Sequence, residues 1–421
     1  EPMMNASSVN TQQIQLQFDE YIELQDVSKQ VLISPLPKEN PSIQYNLKNV
    51  RIRLKDSLKP QTTYVIDFGN SIRDINEANT LPGFKYVFST GNYIDSLNLV
   101  GSVSLAETGL IDSTITVLLY DDVSDTAVLS RAPDYMARLN GQGQFSFSHL
   151  PNRPFQLFAL RDGDGNKRYS NSTEIFAFAD SMIQPLINPQ PISLMAYAET
   201  KAPSPPPTST PASTKADPNK PLRYTPIFHQ GAQDLFKPLE IRFLSPLKSV
   251  QLDSIQLTDT ANKILTDARF RIDSTKKSLF VDFEWKPGQA YRLVSTKNAL
   301  LDSAGKSFAK NDTLSFFAKR KNDYGSLRLQ FNKFDTTLHP VLILREGDVV
   351  LFRVPLTKPE WSVKSILPGD YGLEILYDFN QNGAWDPGNY RKRIQPERVQ
   401  SFPQKLTIRA DWENDRTLEL N

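Results

Sequence analysis

The two halves of this chain repeat one another in order, and that repetition constrains the fold more than any other feature. In the first half Ile14, Leu16 and Phe18 alternate with Gln15 and Gln17. In the second half Leu239-Glu240-Ile241-Arg242-Phe243 does the same, at an offset of 239 − 14 = 225. Val50, Ile52 and Leu54, alternating with Arg51, Arg53 and Lys55, return as Leu279-to-Phe283. Lys59-Pro60 returns as Lys286-Pro287 and Asp74 as Asp302, an offset of 302 − 74 = 228. Further along, Phe145-Ser146-Phe147 corresponds to Trp361-Ser362-Val363, and Phe155-to-Leu160 to Tyr371-to-Leu376. A hydrophobic period of two marks strands that bury one face. The order is therefore A-B followed by A′-B′, and every unit is β-structured.

Between the halves, Ala202 to Pro221 is built from Pro, Ser, Thr and Lys, with almost no large apolar residue; it cannot bury a core and reads as an extended, semi-stiff linker. A chain of 421 residues is too long for one ordinary core. Its 30 prolines against 18 glycines favour short strands and stiff turns over long helices. The expected fold class is all-β, four tandem sandwiches. The expected divisions are 1–92, 93–201, the linker 202–221, 222–320 and 321–421.

Several function classes are excluded by what the chain lacks. With no cysteine there are no disulfides, thiolate metal sites or cysteine nucleophiles. A formal net charge of +1, with tight basic triplets only at Lys319-Arg320-Lys321 and Arg391-Lys392-Arg393, leaves no footprint for nucleic acid. No segment reaches the roughly 18 apolar residues that cross a bilayer. His149, His229 and His339 stand far apart without companions at metal-ligand spacing, and no nucleophile elbow, phosphate-cradling loop or H-E-x-x-H occurs. Carboxylate pairs such as Asp19-Glu20 or Asp74 with Glu77 read as turn and surface groups. The expectation is no enzyme, no catalytic residues and no organic cofactor.

Two polar loops, 378 − 162 = 216 residues apart, carry the only site-like chemistry. In Asp378-Phe379-Asn380-Gln381-Asn382-Gly383-Ala384-Trp385-Asp386 the side chains of Asp378, Asn380, Asn382 and Asp386 stand at positions 1, 3, 5 and 9, with the Ala384 carbonyl at position 7. Its twin offers Asp162, Asp164, Asn166 and Ser170, with Lys167 and Arg168 intruding. This spacing suits a structural Ca²⁺, which takes six to eight oxygens, although Asn389 stands where a bidentate Glu would close such a loop; Glu397 is a candidate remote oxygen. The alternative is an Asx-rich turn that caps a strand without metal. Trp385 and Tyr169 sit inside these loops, where they either pack the loop onto its own sandwich or stack on a sugar ring. Their repetition favours packing. Trp361 and Trp412, in or beside strand patterns, are expected in the core or on a sheet face.

The A blocks, with IQLQFDEYIEL, the Lys-Pro turn, TTYVIDFGNSIRDINEAN and FKYVFSTG, resemble the bacterial Ig-like domain of the SbsA type. The B blocks resemble small transthyretin-like or Cna-B-like sandwiches, whose turn is matched by Ile366-Leu367-Pro368-Gly369-Asp370-Tyr371. Over its full length, with FDEYIEL, Arg131-Ala132-Pro133-Asp134-Tyr135 and the Asp378 segment together, the chain resembles Ig-like-domain lipoproteins of Bacteroidota. That resemblance implies export and lipidation upstream of Glu1, with membrane contact through the lipid alone, in an outer-membrane-associated location. Glu1, without an initiator methionine, is read as a processed N-terminus. A separate feature points to the same compartment: Asp-Ser/Thr followed by an aliphatic residue, Ala, Met or Thr, the O-glycosylation pattern of extracytoplasmic Bacteroidota proteins, occurs at Ser57, Ser96, Ser113, Thr126, Ser181, Ser254, Thr260, Ser274, Ser303, Thr313 and Thr336. The alternative is that such pairs simply serve turns. The expected function is a non-enzymatic extracytoplasmic scaffold that docks on or bridges an outer-membrane or envelope protein complex. The alternative is a calcium-dependent glycan-binding or adhesive module.

Overall fold

The computed structural model describes residues 1–122, 124–200 and 221–420. The linker expected over 202–221 lies, Pro221 apart, outside the described residues. In domain A, Gln13–Gln17 exposes its glutamines and buries Ile14 and Leu16. It pairs with Asn49–Arg53 in the register that sets Ile14 against Ile52 and Leu16 against Val50, and Ser42–Asn46 completes the sheet. Leu32–Ser34, Thr63–Asp67 and Lys85–Ser89 form a second sheet, and Ile22–Leu24 pairs with Ile72–Asp74 as a short ribbon. Ile14, Val50, Ile52, Ile66, Phe68 and Phe88 fill the core. The period-two pattern is thus the imprint of one wet and one dry face.

Domain A′ repeats this strand order. Leu239–Phe243, Ser278–Asp282 and Arg269–Ile272 form one sheet; Ile255–Asp259, Ala290–Ser295 and Asp312–Phe317 form the other. Leu247–Val250 pairs with Leu300–Asp302 as the ribbon, so that Asp302 lies opposite Leu247 as Asp74 lies opposite Ile22. Tyr224–Ile227 adds an edge strand to the first sheet.

Domains B and B′ share a less common topology. In B, Leu97–Leu105 pairs antiparallel with Gln144–Leu150 and parallel with Ile192–Ala196; in B′, Gly325–Asn332 pairs antiparallel with Glu360–Ile366 and parallel with Glu413–Glu419. Parallel partners need a long crossover, and here the whole opposing sheet supplies it. That sheet runs Tyr135–Arg138, Thr116–Tyr120, Gln156–Arg161, Ile175–Phe178 in B, and Val349–Pro355, Pro340–Glu346, Gly369–Tyr377, Val399–Ile408 in B′. Gly101 has to be glycine, because a Cβ there would stand 2.2 Å from the Ile192 carbonyl oxygen and 2.5 Å from the Phe145 ring.

The four-stranded sheet of B is buried on both faces. Val117, Leu119, Leu157, Ala159 and Ala177 point into the core of B itself. Their alternates Leu118, Tyr120, Phe158, Leu160, Phe176 and Phe178 form a second cluster that takes in Tyr390 and Trp385 from B′. On the B′ side, Val341, Ile343, Leu376 and Val399 form the matching outer layer, again against Trp385. Burial of one such side chain contributes about 1.5–3 kcal/mol. The continuous apolar runs Val117-to-Tyr120, Phe155-to-Leu160 and Val341-to-Leu344 are the sequence trace of this double burial.

Trp412, expected in the core or on a sheet face, is 59% exposed where the chain turns between its last two strands, with the Arg409 guanidinium 5.3 Å from its ring. Flanking polar residues on a two-sided turn leave it nothing to pack into. Trp361 is half-buried and packs edge-on against Phe352 at 5.4 Å.

Candidate functional site

The Asp378 loop leaves the end of strand Gly369–Tyr377 and folds onto its own backbone. The Asp378 carboxylate is buried, and its two oxygens accept from Asn382 N (3.2 Å) and Gly383 N (2.7 Å). Asn380 Oδ1 accepts from Asn382 N at 3.0 Å and Asn382 Oδ1 from Ala384 N at 2.6 Å. Both asparagine amides donate to Asp386 Oδ2, at 2.5 and 2.6 Å. Glu397, the remote oxygen considered above, accepts from Phe379 N (2.8 Å) and Asp386 N (3.1 Å), and its carbonyl takes the Trp385 indole N–H at 2.6 Å. Burial pushes the Glu397 carboxyl above its ordinary value, against the pull of those amides. In this arrangement the loop's side-chain oxygens are engaged by the loop's own N–H groups.

The segment that follows the loop, with Trp385 from the loop itself, builds the seam between B and B′. Tyr390 is buried among Phe158, Phe176 and Phe178, with ring centroids 5.7, 5.1 and 5.2 Å away. Its hydroxyl donates to the Asp125 carbonyl at 2.6 Å, and its backbone N–H to Glu199 Oε1 at 2.9 Å. Gln395 Nε2 reaches the Phe178 carbonyl and Asp180 Oδ1, and Val399 N donates to the Ala106 carbonyl at 2.8 Å. Ser401 Oγ bonds the Thr108 carbonyl, and Arg393 pairs with Asp125. Gly388 lies so close that a Cβ would meet the Tyr197 ring at 2.6 Å. Trp385 and Tyr169 are therefore interior: Tyr169 stacks on Phe176 at 4.2 Å and meets Tyr390 edge-on at 6.5 Å.

The twin loop also turns its carboxylates onto its own N–H groups, Glu174 Oε2 accepting Ser170 N at 2.9 Å and Asn171 N at 3.0 Å, but it adds a third acid to the cluster. Asp162 accepts from Gly165 N and Lys167 N, both at 2.8 Å. Asp164 accepts from Asn166 N at 3.0 Å, which holds its carboxyl below the usual value. Ser170 Oγ lies 3.1 Å from Asn166 Nδ2. Glu174, which sequence reasoning left out, joins them: one oxygen each from Asp162, Asp164 and Glu174 lies within 4.8 Å of the others. Glu174 follows Asp162 by twelve residues, one beyond the usual position of a loop-closing Glu, and an acid there was the available signal. The intruding cations turn away, Arg168 donating to the Ser130 carbonyl at 3.3 Å and Lys167 lining a groove against domain A.

Other candidates fall at separate places. Ten of the eleven Asp-Ser/Thr hydroxyl residues are exposed and Ser254 is half-buried. Glu20 and Asp74 share a hydrogen bond at the exposed ribbon end of A; it raises the Glu20 carboxyl and lowers that of Asp74. His149 is held below its usual value by burial and by Lys85. Arg131, in the Arg131-to-Tyr135 segment, pairs with Asp134 (2.9 Å) and Asp121 (3.2 Å), while Asp134 accepts Leu36 N of domain A through its carbonyl at 2.7 Å.

Comparison with known proteins adds the family of the first sandwich. Residues 1–90 match the bacterial Ig-like domain. The Ig-like domain thus coincides with the sheets and core described for A. No curated protein matches the chain. Among solved structures, the TIE protein of Bacillus anthracis is similar over 100% of this chain and 73% of its own, at 10% identity and a TM-score of 0.19. The major pilin subunit BcpA of Bacillus cereus is similar over 77% and 99%, at 8% identity and 0.18. The S-layer protein SbsC is similar over 98% and 54%, at 9% identity and 0.17. Superpositions this loose carry no argument. No helix among the described residues is long and apolar enough to cross a membrane.

Proposed function

We propose that the chain is a non-enzymatic extracytoplasmic scaffold, lipid-anchored upstream of Glu1 at the outer membrane, whose sandwiches hold or bridge other envelope proteins. The observation that carries this reading is the fate of the Asp378 loop. The most reactive-looking stretch of the chain spends its oxygens on its own backbone and amides and its tryptophan on the B–B′ cluster. A duplicated unit locked to itself offers rigid, spaced surfaces, which is what a bridge requires.

The ribbon end of the Ig-like domain is the surface best suited to such docking. Tyr21, Leu47 and Ile75 are 45%, 61% and 53% exposed there. They are brought together by the bonds Ile75 N to Tyr21 O and Ile22 N to Leu47 O, both 3.0 Å. Leu47 sits at φ +55 because it opens the two-residue hairpin loop between Ser42–Asn46 and Asn49–Arg53, and that turn holds its side chain outward. Asp19, Asp74 and Glu77 cluster with Glu20 at the same end, while Lys48 lies 5.2 Å from the centre of the Tyr21 ring, so the apolar centre is flanked by charges that favour a polar-rimmed partner surface. Purification of the tagged chain from native membranes is expected to return one stoichiometric partner, and Leu47→Asp with Ile75→Asp is expected to release it. Free monomer from both preparations would overturn the reading.

Calcium belongs in this proposal as a fastener of the Asp162 loop, through Asp162, Asp164 and Glu174. A ligand that binds only the folded state raises the melting temperature. Chelation is then expected to lower it by a few degrees, and Asp164→Asn to abolish that sensitivity. Superimposable melting curves with calcium and with chelator would remove calcium from the scheme.

A further inference from the structure

A groove of about 650 Å³ runs along the seam between domains A and B. Its apolar wall is formed by Val31, Leu36 and Ile43 from A and Met136 from B, and its charged residues are Arg138 and Lys167. No carboxylate lines it. Seams between domains are where ligand cavities of roughly 300–1,000 Å³ gather.

The charge arrangement sets this groove apart from the neighbouring cavity among the described residues. The neighbouring one, of about 560 Å³, mixes Lys38, Lys59 and Arg131 with Asp56 and Asp134, and its charges are largely paired. In the larger groove Arg138 and Lys167 form no ion pair among the described residues. Arg138 is half-buried and spends one N–H on the Gln30 carbonyl at 2.7 Å. The carboxylate that acts on it is Asp67, whose oxygens are also engaged by Lys85 at 3.3 Å and by Gly69 N at 2.8 Å. A half-buried guanidinium with free N–H groups is costly unless an anion meets it, and its planar fork matches a carboxylate.

We propose that this groove binds an alkyl chain with a carboxylate head, a fatty-acid-like amphiphile, with the tail along the Leu36–Ile43–Met136 wall and the head on Arg138 and Lys167. The site goes beyond scaffolding and does not depend on it. Both domains contribute walls, so occupancy also favours the A–B arrangement seen here, by the general rule that a ligand stabilises the state it binds.

The test uses the whole chain and laurate below its micellar concentration, followed by titration calorimetry. Laurate is expected to bind saturably with 1:1 stoichiometry, dodecanol more weakly, and dodecyltrimethylammonium not at all. Arg138→Gln with Lys167→Gln is expected to weaken laurate by at least about tenfold, the value of a charge-assisted hydrogen bond. Lys167→Gln alone, on a loop and away from the core, keeps the test readable should the double variant misfold; it is expected to weaken laurate severalfold. Lys38→Gln in the neighbouring cavity is expected to leave it unchanged. No laurate binding up to about 1 mM, equal affinity for dodecanol, or an unchanged affinity in folded Lys167→Gln would each overturn the proposal.

Discussion

Tyr390→Ala is expected to uncouple the two halves of the chain. The wild-type ring is buried in a cage of Phe158, Phe176, Phe178 and Tyr169 across the B–B′ seam. Truncating a large buried aromatic costs about 3–5 kcal/mol through lost transfer energy and the cavity left behind. The exposed Arg393–Asp125 pair, with side chains 39% and 68% accessible, supplies at most about 1 kcal/mol. The aromatic term therefore outweighs that pair, leaving the polar seam bonds, such as Val399 N to the Ala106 carbonyl and Gln395 Nε2 to the Phe178 carbonyl, as what remains. Calorimetry should show the B and B′ transitions separating, and solution scattering should show a larger radius of gyration, because the seam would lose its central aromatic contact. Gly388→Ala should act in the same direction by driving a Cβ into the Tyr197 ring. If both variants melted as the wild type does and kept its dimensions, the seam would not be what joins the halves.

Glu397→Ala carries the second large effect. It removes the acceptor of Phe379 N and Asp386 N from a site where Glu397 is 5% exposed, and stranded buried amides cost about 1–3 kcal/mol each. The Asp378 loop is then expected to loosen, with the Trp385 indole leaving its place at the Glu397 carbonyl. A destabilisation of about 2–4 kcal/mol by denaturant titration, with a red-shifted Trp385 emission, is the expected result. Glu397→Gln should cost less, since Oε1 still accepts and no buried charge remains. The pH dependence has a definite sign. Because burial raises the carboxyl in the folded protein, this group's contribution is greatest at acid pH and is lost as pH rises through its folded value. Wild type should therefore gain on Glu397→Gln as pH falls from about 7 to 4. A constant difference would mean that the Glu397 carboxyl titrates alike in the folded and unfolded chain.

Much of the architecture was legible in single residues. Ile14, Leu16, Val50 and Ile52 announced a strand pair by alternation, and the structure sets them opposite one another in that register. The return of Asp74 as Asp302 was visible as spacing, and both lie at the same place in the ribbon. Trp412 was misplaced because proximity to a strand pattern says nothing about which way a turn points its ring. Glu174 was overlooked because a carboxylate one residue off an expected ligand position looks like any other loop acid until the chain is closed around it.

The sequence by itself determined the strand periodicity, the duplication and the all-β class, because these follow from local alternation and self-similarity. Only the tertiary structure decided the partner of the outer faces of Thr116–Tyr120 and Gln156–Arg161. Their unbroken apolar runs require burial on both sides, but which surface covers the second side depends on contacts more than 200 residues apart, such as Tyr390 with Phe158. Period, turn chemistry and composition are local quantities, whereas the B–B′ seam and the Arg138 groove exist only where separate domains meet.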